Sequence, residues 1–300
     1  MTDREGGRAR CRLAGVLTLA GEGSRMLPWS RSLRKEFLPL FDRPAAGEEP
    51  ILKPVAHLVV ETLTGAGADD LTLVVQPRDR ATVENYFSID TTLLRRIGRH
   101  PDRLTETREF YRRLRGLRIR YAVQRTPRGF GDAVLRAERS VGDRPFLLHA
   151  SDAYIAEGKR GESMRAMGDL LVGEDLDAVL LVRPVRDPKR YGVVEVRPEG
   201  RFRSFRRFGV VGIEEKPERP RSRWAATAAY AFRPEIFDAV RSAARDHRGA
   251  PELELTWGIE ELLRRGRRVD AVVLAPPARW LSVGSPEQYL RALQFTHRRS

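Results

Sequence analysis

The sequence predicts an α/β protein with a mostly parallel, mixed β-sheet that is flanked by helices on both faces. Apolar runs of strand length alternate with longer amphipathic stretches along most of the chain, which is the pattern of such a sheet. The 300 residues are 41% hydrophobic, enough for one large core. From about Pro234 onward the pattern becomes mainly helical. We therefore expect a single domain, with residues 12–233 as its ligand-binding core and residues 234–300 as a small helical C-terminal part.

The predicted strands are short apolar runs that end at turn residues. In chain order they are Leu13–Ala20, Leu71–Gln76, Arg118–Val123, Pro145–His149, Ala178–Arg183, Gly192–Val196, Trp224–Phe232 and Val269–Leu274. The predicted helices are the amphipathic stretches between them. In chain order they are Pro54–Thr64, Asp79–Phe87, Thr91–Leu117 in two pieces, Asp132–Ser140 and Glu162–Leu171. Ligands of open α/β sheets bind at the carboxyl ends of strands, so the loops after the first and fourth strands are predicted to lie near the ligand.

Two glycines and two cations follow the first predicted strand. Gly21 and Gly23 remove side chains where the backbone must turn and approach another group closely. Arg25 and Lys35 add positive charge beside backbone N–H groups, a combination that phosphate-binding loops use. Ordinary strand-to-helix turns also contain glycine, so the spacing alone leaves both interpretations open.

The net charge of +14 comes almost entirely from arginine, because only five of the 55 cationic side chains are lysines. Such a field attracts polyanions of every kind, including nucleic acid and phosphorylated metabolites. The arginines are spread through the sequence, alternate with Asp and Glu, and lack the interleaved aromatic residues of a base-stacking surface. A dedicated nucleic-acid-binding role is therefore not favoured, although the charge alone leaves it open.

The composition also limits the other classes of protein. No apolar run approaches the roughly 20 residues that span a bilayer, and the first residues lack an apolar signal segment. The single cysteine, Cys11, has no partner for an internal disulfide, which fits a reducing compartment. We therefore expect a cytoplasmic protein with no membrane partner. The sequence contains no GxSxG, HExxH or CxxC motif, so it gives no support to a hydrolase or a zinc enzyme.

Five segments resemble, in order, the motifs of the sugar-nucleotide pyrophosphorylases, which join a nucleoside triphosphate to a sugar 1-phosphate. They are GEGSRMLP with KEFLPLFDRP, QRTPRGFGDAV, FLLHASDAYI, RYGVVEV and VGIEEKP. The resemblance extends from Arg12 to about Arg298. Within the family, VENYFSIDTTLLRRI, from Val83 to Ile97, is similar to a segment of the bacterial UTP:glucose-1-phosphate uridylyltransferases.

The resemblance implies a Rossmann-like fold of the nucleotide-diphospho-sugar transferase type and a nucleotidyltransferase activity. UTP and glucose 1-phosphate are the leading substrate pair, with dTTP as the next triphosphate. Arg25 and Lys35 would hold the β- and γ-phosphates and stabilise the leaving pyrophosphate, whereas the open alternative for Arg25 is an exposed surface arginine. We also expect a homo-oligomer, either a dimer or a tetramer.

The resemblance divides the remaining site residues into two groups. Gln124 and Gly129 correspond to family residues that contact the nucleobase, and Gly21 and Gly23 of the loop complete the nucleotide-binding group on the phosphate side. A turn before a helix capped by Asp132 is the alternative interpretation of the segment around Gln124. The second group, on the sugar-facing side, consists of Gly192, Glu215 and Lys216, for which a solvated charge pair at the end of a strand is the alternative. Adjacent strand residues point to opposite faces, so Glu215 and Lys216 require a local irregularity to reach one ligand.

The expected cofactor is Mg²⁺, with Asp152 as its ligand. Mg²⁺ usually takes one or two protein carboxylates and completes its shell with water and phosphate. A turn cap is the alternative role for Asp152. The sequence departs from the family at Ser282, where an aspartate is usual, and in an apparent insertion at residues 45–53. A serine cannot supply the negative charge of the usual aspartate. An alternative function therefore stays open, that of a catalytically impaired homologue that binds a nucleotide or sugar phosphate as a regulatory protein.

Overall fold

The computed structural model describes residues 12–42, 49–97 and 105–299. Cys11 and residues 45–48 of the apparent insertion lie outside these ranges. The strands are β1 Ala14–Thr18, β2 Pro39–Asp42, β3 Ile51–Pro54, β4 Asp70–Val75, β5 Arg118–Val123, β6 Phe146–Ala150, β7 Ala153–Ala156, β8 Ala178–Pro184, β9 Gly192–Phe202, β10 Phe205–Glu215, β11 Trp224–Phe232, β12 Val269–Val273 and β13 Arg279–Ser282. The α-helices are α1 Val55–Gly65, α2 Arg80–Tyr86, α3 Thr91–Ile97, α4 Thr105–Arg115, α5 Phe130–Val141, α6 Glu162–Gly173, α7 Glu235–Asp246, α8 Leu255–Arg264 and α9 Pro286–Arg299.

One nine-stranded mixed sheet organises the fold, in the order β5-β4-β1-β6-β11-β8-β12-β10-β9. Strands β10 and β11 run opposite to the other seven, because each pairs antiparallel with its neighbours while β1, β4, β5 and β6 pair in parallel. The predicted α/β class and mostly parallel sheet are therefore confirmed. Two small antiparallel pairs, β2 with β3 and β7 with β13, lie outside the main sheet.

Helices cover both faces of the sheet, so the central strands are buried on both sides. Every residue of β1, β4, β6 and β12 is buried. Adjacent residues of β1 belong to different cores: Leu17 packs with α1 and α6, and Val16 packs with α5, α7 and α8. This two-sided burial explains why these strands are continuous apolar runs rather than alternating ones.

The predicted bounds agree with the structure in the apolar centre of the sheet and fail at its edge. β5 and β11 begin and end at the predicted residues, whereas β9 continues six residues beyond the predicted Val196, and β10 was not predicted. The half of the β9–β10 hairpin from residue 197 to 207 is charged and mostly exposed, so no apolar pattern marks it. The C-terminal part is also less separate than expected, since β12 lies between β8 and β10 in the main sheet and β13 adds a second strand.

His149 lies at the end of β6 and remains neutral in the folded protein. Its side chain is fully buried, Nδ1–H donates to the carbonyl of Ala150 over 2.6 Å, and Nε2 has no partner within the described part of the chain. Burial lowers the pKa of His149 from 6.5 to about 4, despite the opposing effect of the Ala150 carbonyl and Asp152. The unfolded chain therefore takes up a proton as the pH falls below 6.5, before the folded chain does.

We expect the His149→Leu variant to be less sensitive to acid than the wild-type protein. Between pH 7 and pH 5 the unfolding free energy of the wild-type protein should fall by about 2 kcal/mol because only the unfolded chain protonates this imidazole. The variant has no imidazole here and should not show this fall. Buried carboxyls such as Glu36, whose pKa is raised by burial, also make stability depend on pH, but they do so equally in both proteins. The measurement is therefore the difference in unfolding free energy between the two proteins at each pH. An unchanged difference between pH 7 and pH 5 would contradict a neutral His149.

Candidate active site

The site begins where two parallel strands end side by side. Thr18 of β1 is paired with Ala150 of β6, and the N–H of Ser151 donates to the carbonyl of Thr18 over 3.3 Å. The loop after β1 and Asp152 therefore share one edge of the sheet, beside a cleft of about 520 Å³. Nine predicted site residues line this cleft: Gly21, Gly23, Arg25, Lys35, Gln124, Gly129, Asp152, Gly192 and Glu215. The tenth, Lys216, does not line the cleft but forms an ion pair with Glu215, which does.

Two buried side chains hold the loop after β1 by its carbonyl groups. Arg34, which is 7% exposed, donates from Nη2 to the carbonyl of Leu19 over 2.9 Å and also to that of Gly21. Nε2 of Gln76 donates to the carbonyl of Ala20 over 2.7 Å. Three consecutive carbonyls are thus engaged by protein donors, and Gly23 begins a short 3₁₀ turn with φ of 68°. The loop is fixed in place by the protein itself, which is the preorganisation that an anion site requires.

Lys35 and Asp152 form the ion pair at the centre of the cleft. The ammonium of Lys35 is 3.2 Å from Oδ2 of Asp152, and the two side chains are 10% and 33% exposed. Burial opposes ionisation of Asp152, but Lys35 and then Arg25 outweigh it, so the pKa of this carboxyl lies below its ordinary value. Asp152 therefore remains an anion throughout the neutral pH range, and it lies beside the cations Arg25 and Lys35 in the cleft.

Ser282 lies beside Asp152. It is paired with Ala153 across β13 and β7, and the N–H of Val283 donates to the carbonyl of Asp152 over 2.8 Å. The hydroxyl of Ser282 is used locally, since it accepts from the N–H of Gly284 at 3.1 Å and donates to Oε1 of Gln288 at 3.3 Å. The position is therefore close to the predicted metal ligand but supplies no charge.

Gln124 and Gly129 lie together at another part of the cleft. The side-chain amide of Gln124 donates from Nε2 to Oδ2 of Asp132 over 2.8 Å and to the carbonyl of Gly129 over 3.3 Å. Gly129 has φ of 98°, and a Cβ there would lie 2.6 Å from the backbone nitrogen and oxygen of Leu253. Only glycine allows this close approach, which brings the loop before α5 against the segment that leads into α8.

Glu215 and Lys216 follow each other at the end of β10, where Glu215 is paired with Gly192 of β9. Lys216 has φ of 44°, so the backbone leaves the strand geometry at this residue, which is the local irregularity that the sequence requires. Its ammonium lies 3.0 Å from Glu215 and 3.1 Å from Glu254, and its side chain is 56% exposed. Burial and then Glu254 raise the pKa of Glu215. The predicted pair is thus part of a three-residue cluster at the wall of the cleft.

Several cleft residues were missed in the sequence. Thr256 donates to Oε2 of Glu215 over 3.1 Å, and Glu254 pairs with Lys216; both come from the start of α8, far along the chain. Glu36 lines the cleft and is 1% exposed, with Oε2 lacking a hydrogen bond to any described residue. An acidic residue directly after Lys35 was a visible signal, whereas nothing in the sequence connects α8 to the cleft.

A second cavity, of about 790 Å³, lies elsewhere and carries charges that satisfy one another. Lys53, which is buried, pairs with Asp42, Glu61 and Glu106 at 2.9 to 3.2 Å. Arg160 also binds Asp42 and Glu61. None of the predicted site residues lines this cavity, whereas nine of them line the cleft beside Asp152, which is therefore the candidate site of chemistry.

A sheet whose parallel strands end at a glycine-bearing loop, with Arg25, Lys35 and Asp152 in the cleft beside it, is typical of α/β proteins that bind phosphorylated ligands. The model of the nucleotidyl transferase family matches residues 14–299, so the chain belongs to that family. The resemblance drawn from the motifs is thus confirmed. No helix within the described ranges is long and apolar enough to cross a bilayer.

Individual relatives are distant. The chain is 29% identical to a glucose-1-phosphate thymidylyltransferase of Streptomyces antibioticus, over 87% of this chain and 60% of that protein. It is 28% identical to the UTP–glucose-1-phosphate uridylyltransferase YngB of Bacillus subtilis, over 83% of this chain and 78% of that protein. A crystal structure of apo UDP-glucose pyrophosphorylase superposes with a TM-score of 0.81 at 22% identity, over 96% of this chain and 99% of that one, and shares the fold. The chain spans only 60% to 66% of the length of two of its relatives.

Proposed function

We propose that the protein transfers a nucleotidyl group from a nucleoside triphosphate to a sugar 1-phosphate, giving a nucleoside-diphosphate sugar and pyrophosphate. The observation that carries this proposal is the convergence of Arg25, Lys35 and Asp152 on one cleft in a member of the nucleotidyl transferase family. UTP and glucose 1-phosphate are the proposed pair. The uridylyltransferase-like segment at residues 83–97 and the likeness to YngB support UTP, while the Streptomyces relative makes dTTP the second choice.

In the proposed reaction, an oxygen of the sugar 1-phosphate attacks the α-phosphorus of the triphosphate, and the bond to the β-phosphate oxygen breaks in line. The second pKa of the attacking phosphate is about 6, so this second ionisation is largely complete at neutral pH and the attack needs no general base. Catalysis is then a matter of position and charge. Arg25 and Lys35 hold the β- and γ-phosphates and neutralise the leaving pyrophosphate, while Gly21 and Gly23 let the backbone approach the phosphates.

The remaining residues hold the two ends of the substrates. Gln124 and Gly129 bind the nucleobase. Gly192 and Glu215 face the sugar, where the carboxylate accepts hydrogen bonds from hydroxyl groups. Lys216 reaches the sugar phosphate by exchanging one of its two carboxylate partners for a phosphate oxygen, which its exposed side chain permits.

Asp152 is the proposed ligand of Mg²⁺. The described ranges contain no group of three His, Cys, Asp or Glu side chains that could hold a metal ion. A single, partly exposed and ionised carboxylate nevertheless fits a cation that takes most of its ligands from water and phosphate. When bound, Mg²⁺ would neutralise phosphate charge. Asp152 would hold the cation, beside the ammonium of Lys35.

The function is tested by measuring pyrophosphate release with UTP, dTTP, CTP, GTP and ATP, each crossed with several sugar 1-phosphates. We expect release only when both substrates are present, fastest with UTP and glucose 1-phosphate. Ser282 supports a second candidate, a regulatory homologue that binds these ligands without turnover. Thermal stabilisation by ligands with no pyrophosphate release in any combination would favour that candidate and refute the first.

We expect the Ser282→Asp variant to bind Mg²⁺ more tightly than the wild-type protein. The new carboxylate would lie beside Asp152 across the β7–β13 pair and supply the second acidic ligand that Mg²⁺ often uses. The half-saturating Mg²⁺ concentration for turnover should fall about tenfold, which corresponds to about 1.4 kcal/mol. Ser285→Asp, three residues along, is the matched control, and an equal shift in both variants would contradict a specific role for position 282.

A further inference from the structure

The amide of Gln124 has a fixed orientation in the cleft. Its two partners, the carboxylate of Asp132 and the carbonyl of Gly129, only accept hydrogen bonds, so the NH₂ group must face them. No described residue donates to Oε1. The atom is not enclosed by the protein either, so it is open to a donor from outside. Because Gln124 lines the cleft, Oε1 is the atom left to meet a ligand.

Asp132 is built to keep the amide in this orientation. It is 6% exposed and lies in the first turn of α5, where the helix dipole favours a negative charge. Its second oxygen is occupied by Arg136, one turn further along the helix. Oδ2 of the carboxylate is thus left to Gln124, and an amide turned by 180° would direct Oε1 at it, which is electrostatically unfavourable.

We propose that Asp132 is a positioning residue that sets the base selectivity of the cleft, by making Oε1 of Gln124 the acceptor that the nucleobase meets. This inference deepens the proposed function and rests on it for the location of the base. An acceptor in this place pairs with the ring N–H of uracil or thymine. Cytosine presents an unprotonated ring nitrogen at the same position, so it would leave two acceptors facing each other. UTP and CTP are therefore a matched pair of equal size.

The test compares kcat/KM for UTP and CTP in the wild-type protein and in the Asp132→Asn variant. We expect the wild-type protein to prefer UTP by about 100-fold or more, as hydrogen-bonding sites do for a substrate that matches them. The side-chain amide introduced by this substitution can present either an oxygen or an NH₂ group, so only the longer, 3.3 Å contact with the carbonyl of Gly129 still favours one orientation of the Gln124 amide. The UTP/CTP ratio should fall at least about tenfold through both a loss with UTP and a gain with CTP. The KM for the sugar phosphate should change little.

Three further variants separate orientation from loss of structure. Asp132→Ala also releases the amide and should lower the ratio. Arg136→Gln removes the other ion pair of Asp132 and should leave the ratio unchanged, because the contact with Gln124 remains. Glu138→Gln, on the same helix but paired with Arg241 away from the cleft, should preserve both activity and selectivity.

A UTP/CTP ratio within about threefold of the wild-type value in both Asp132 variants, or no preference in the wild-type protein, would overturn the inference. If no protein turns over any nucleotide, the same ratio is measured from the dissociation constants of UTP and CTP by calorimetry. Selective binding of UTP that is lost in Asp132→Asn would then uphold the inference while refuting the proposed activity. Equal binding of the two nucleotides would refute the inference as well.

Discussion

The Lys35→Ala variant should lose about 10³-fold in kcat/KM for the triphosphate, the largest effect that we expect from a single truncation. The Lys35 ammonium is 10% exposed and 3.2 Å from Asp152 in the cleft, and it is the only lysine that lines it within the described ranges. In the proposed reaction it neutralises charge that accumulates on the leaving pyrophosphate. A cation in a partly desolvated site acts there more strongly than in water, and bulk cations cannot replace it.

The measurement is pyrophosphate release at saturating sugar phosphate, together with the melting temperature. Lys35→Arg should recover little activity, because the bulkier planar guanidinium does not substitute for a compact ammonium in a formed site. Lys159→Ala, an exposed lysine outside the cleft, is the control and should match the wild-type protein. Activity of Lys35→Ala within about tenfold of wild type, with an unchanged melting temperature, would exclude Lys35 from the reaction.

The Asp152→Asn variant should lose about 10² to 10³-fold in kcat and require a higher concentration of Mg²⁺. The substitution preserves shape but removes the carboxylate charge that would hold the cation and that pairs with Lys35. Because the pKa of Asp152 lies below its ordinary value, this carboxylate does not titrate near neutrality. The acid limb of the wild-type activity profile should therefore follow the sugar phosphate, whose second pKa is about 6.

A magnesium titration of turnover separates the two effects of this substitution. If Asp152 is the metal ligand, high Mg²⁺ restores part of the activity of Asp152→Asn; if it only positions Lys35, the loss does not depend on Mg²⁺. Asp238→Asn, on the exposed side of α7, is the control and should behave as wild type. An unchanged Mg²⁺ dependence and kcat in Asp152→Asn would refute both roles.

The central strands were predictable because their environment leaves a simple signature. Buried on both faces, β1, β4 and β6 are apolar along their whole length, and the loop after β1 carries its glycines and cations in one short segment. The common edge of β1 and β6 follows from parallel pairing, so the proximity of Lys35 and Asp152 was a consequence of topology. The exposed half of the β9–β10 hairpin leaves no such signature, because solvent tolerates arginine and glutamate in any order.

The cleft contains contacts that no local pattern indicates. Glu254 and Thr256 reach Glu215 from the start of α8, about 40 residues further along the chain, and Asp132 was visible only as a helix cap rather than as the partner of Gln124. The local irregularity at Lys216 was required by the proposed site and was suggested by Pro217 directly after it, but its left-handed backbone conformation was shown only by the structure.

The sequence by itself determined the class of fold, the family and the residues whose chemistry suits a polyphosphate, because burial and glycine spacing are local properties. The tertiary structure decided which partner each polar group has: Lys35 with Asp152, Lys216 between two glutamates, Arg34 on the carbonyls of the loop after β1, and Gln124 with its amide directed at Asp132. The physical reason is that hydrogen-bond direction and ion pairing depend on distances between segments far apart in the chain, which residue order does not contain.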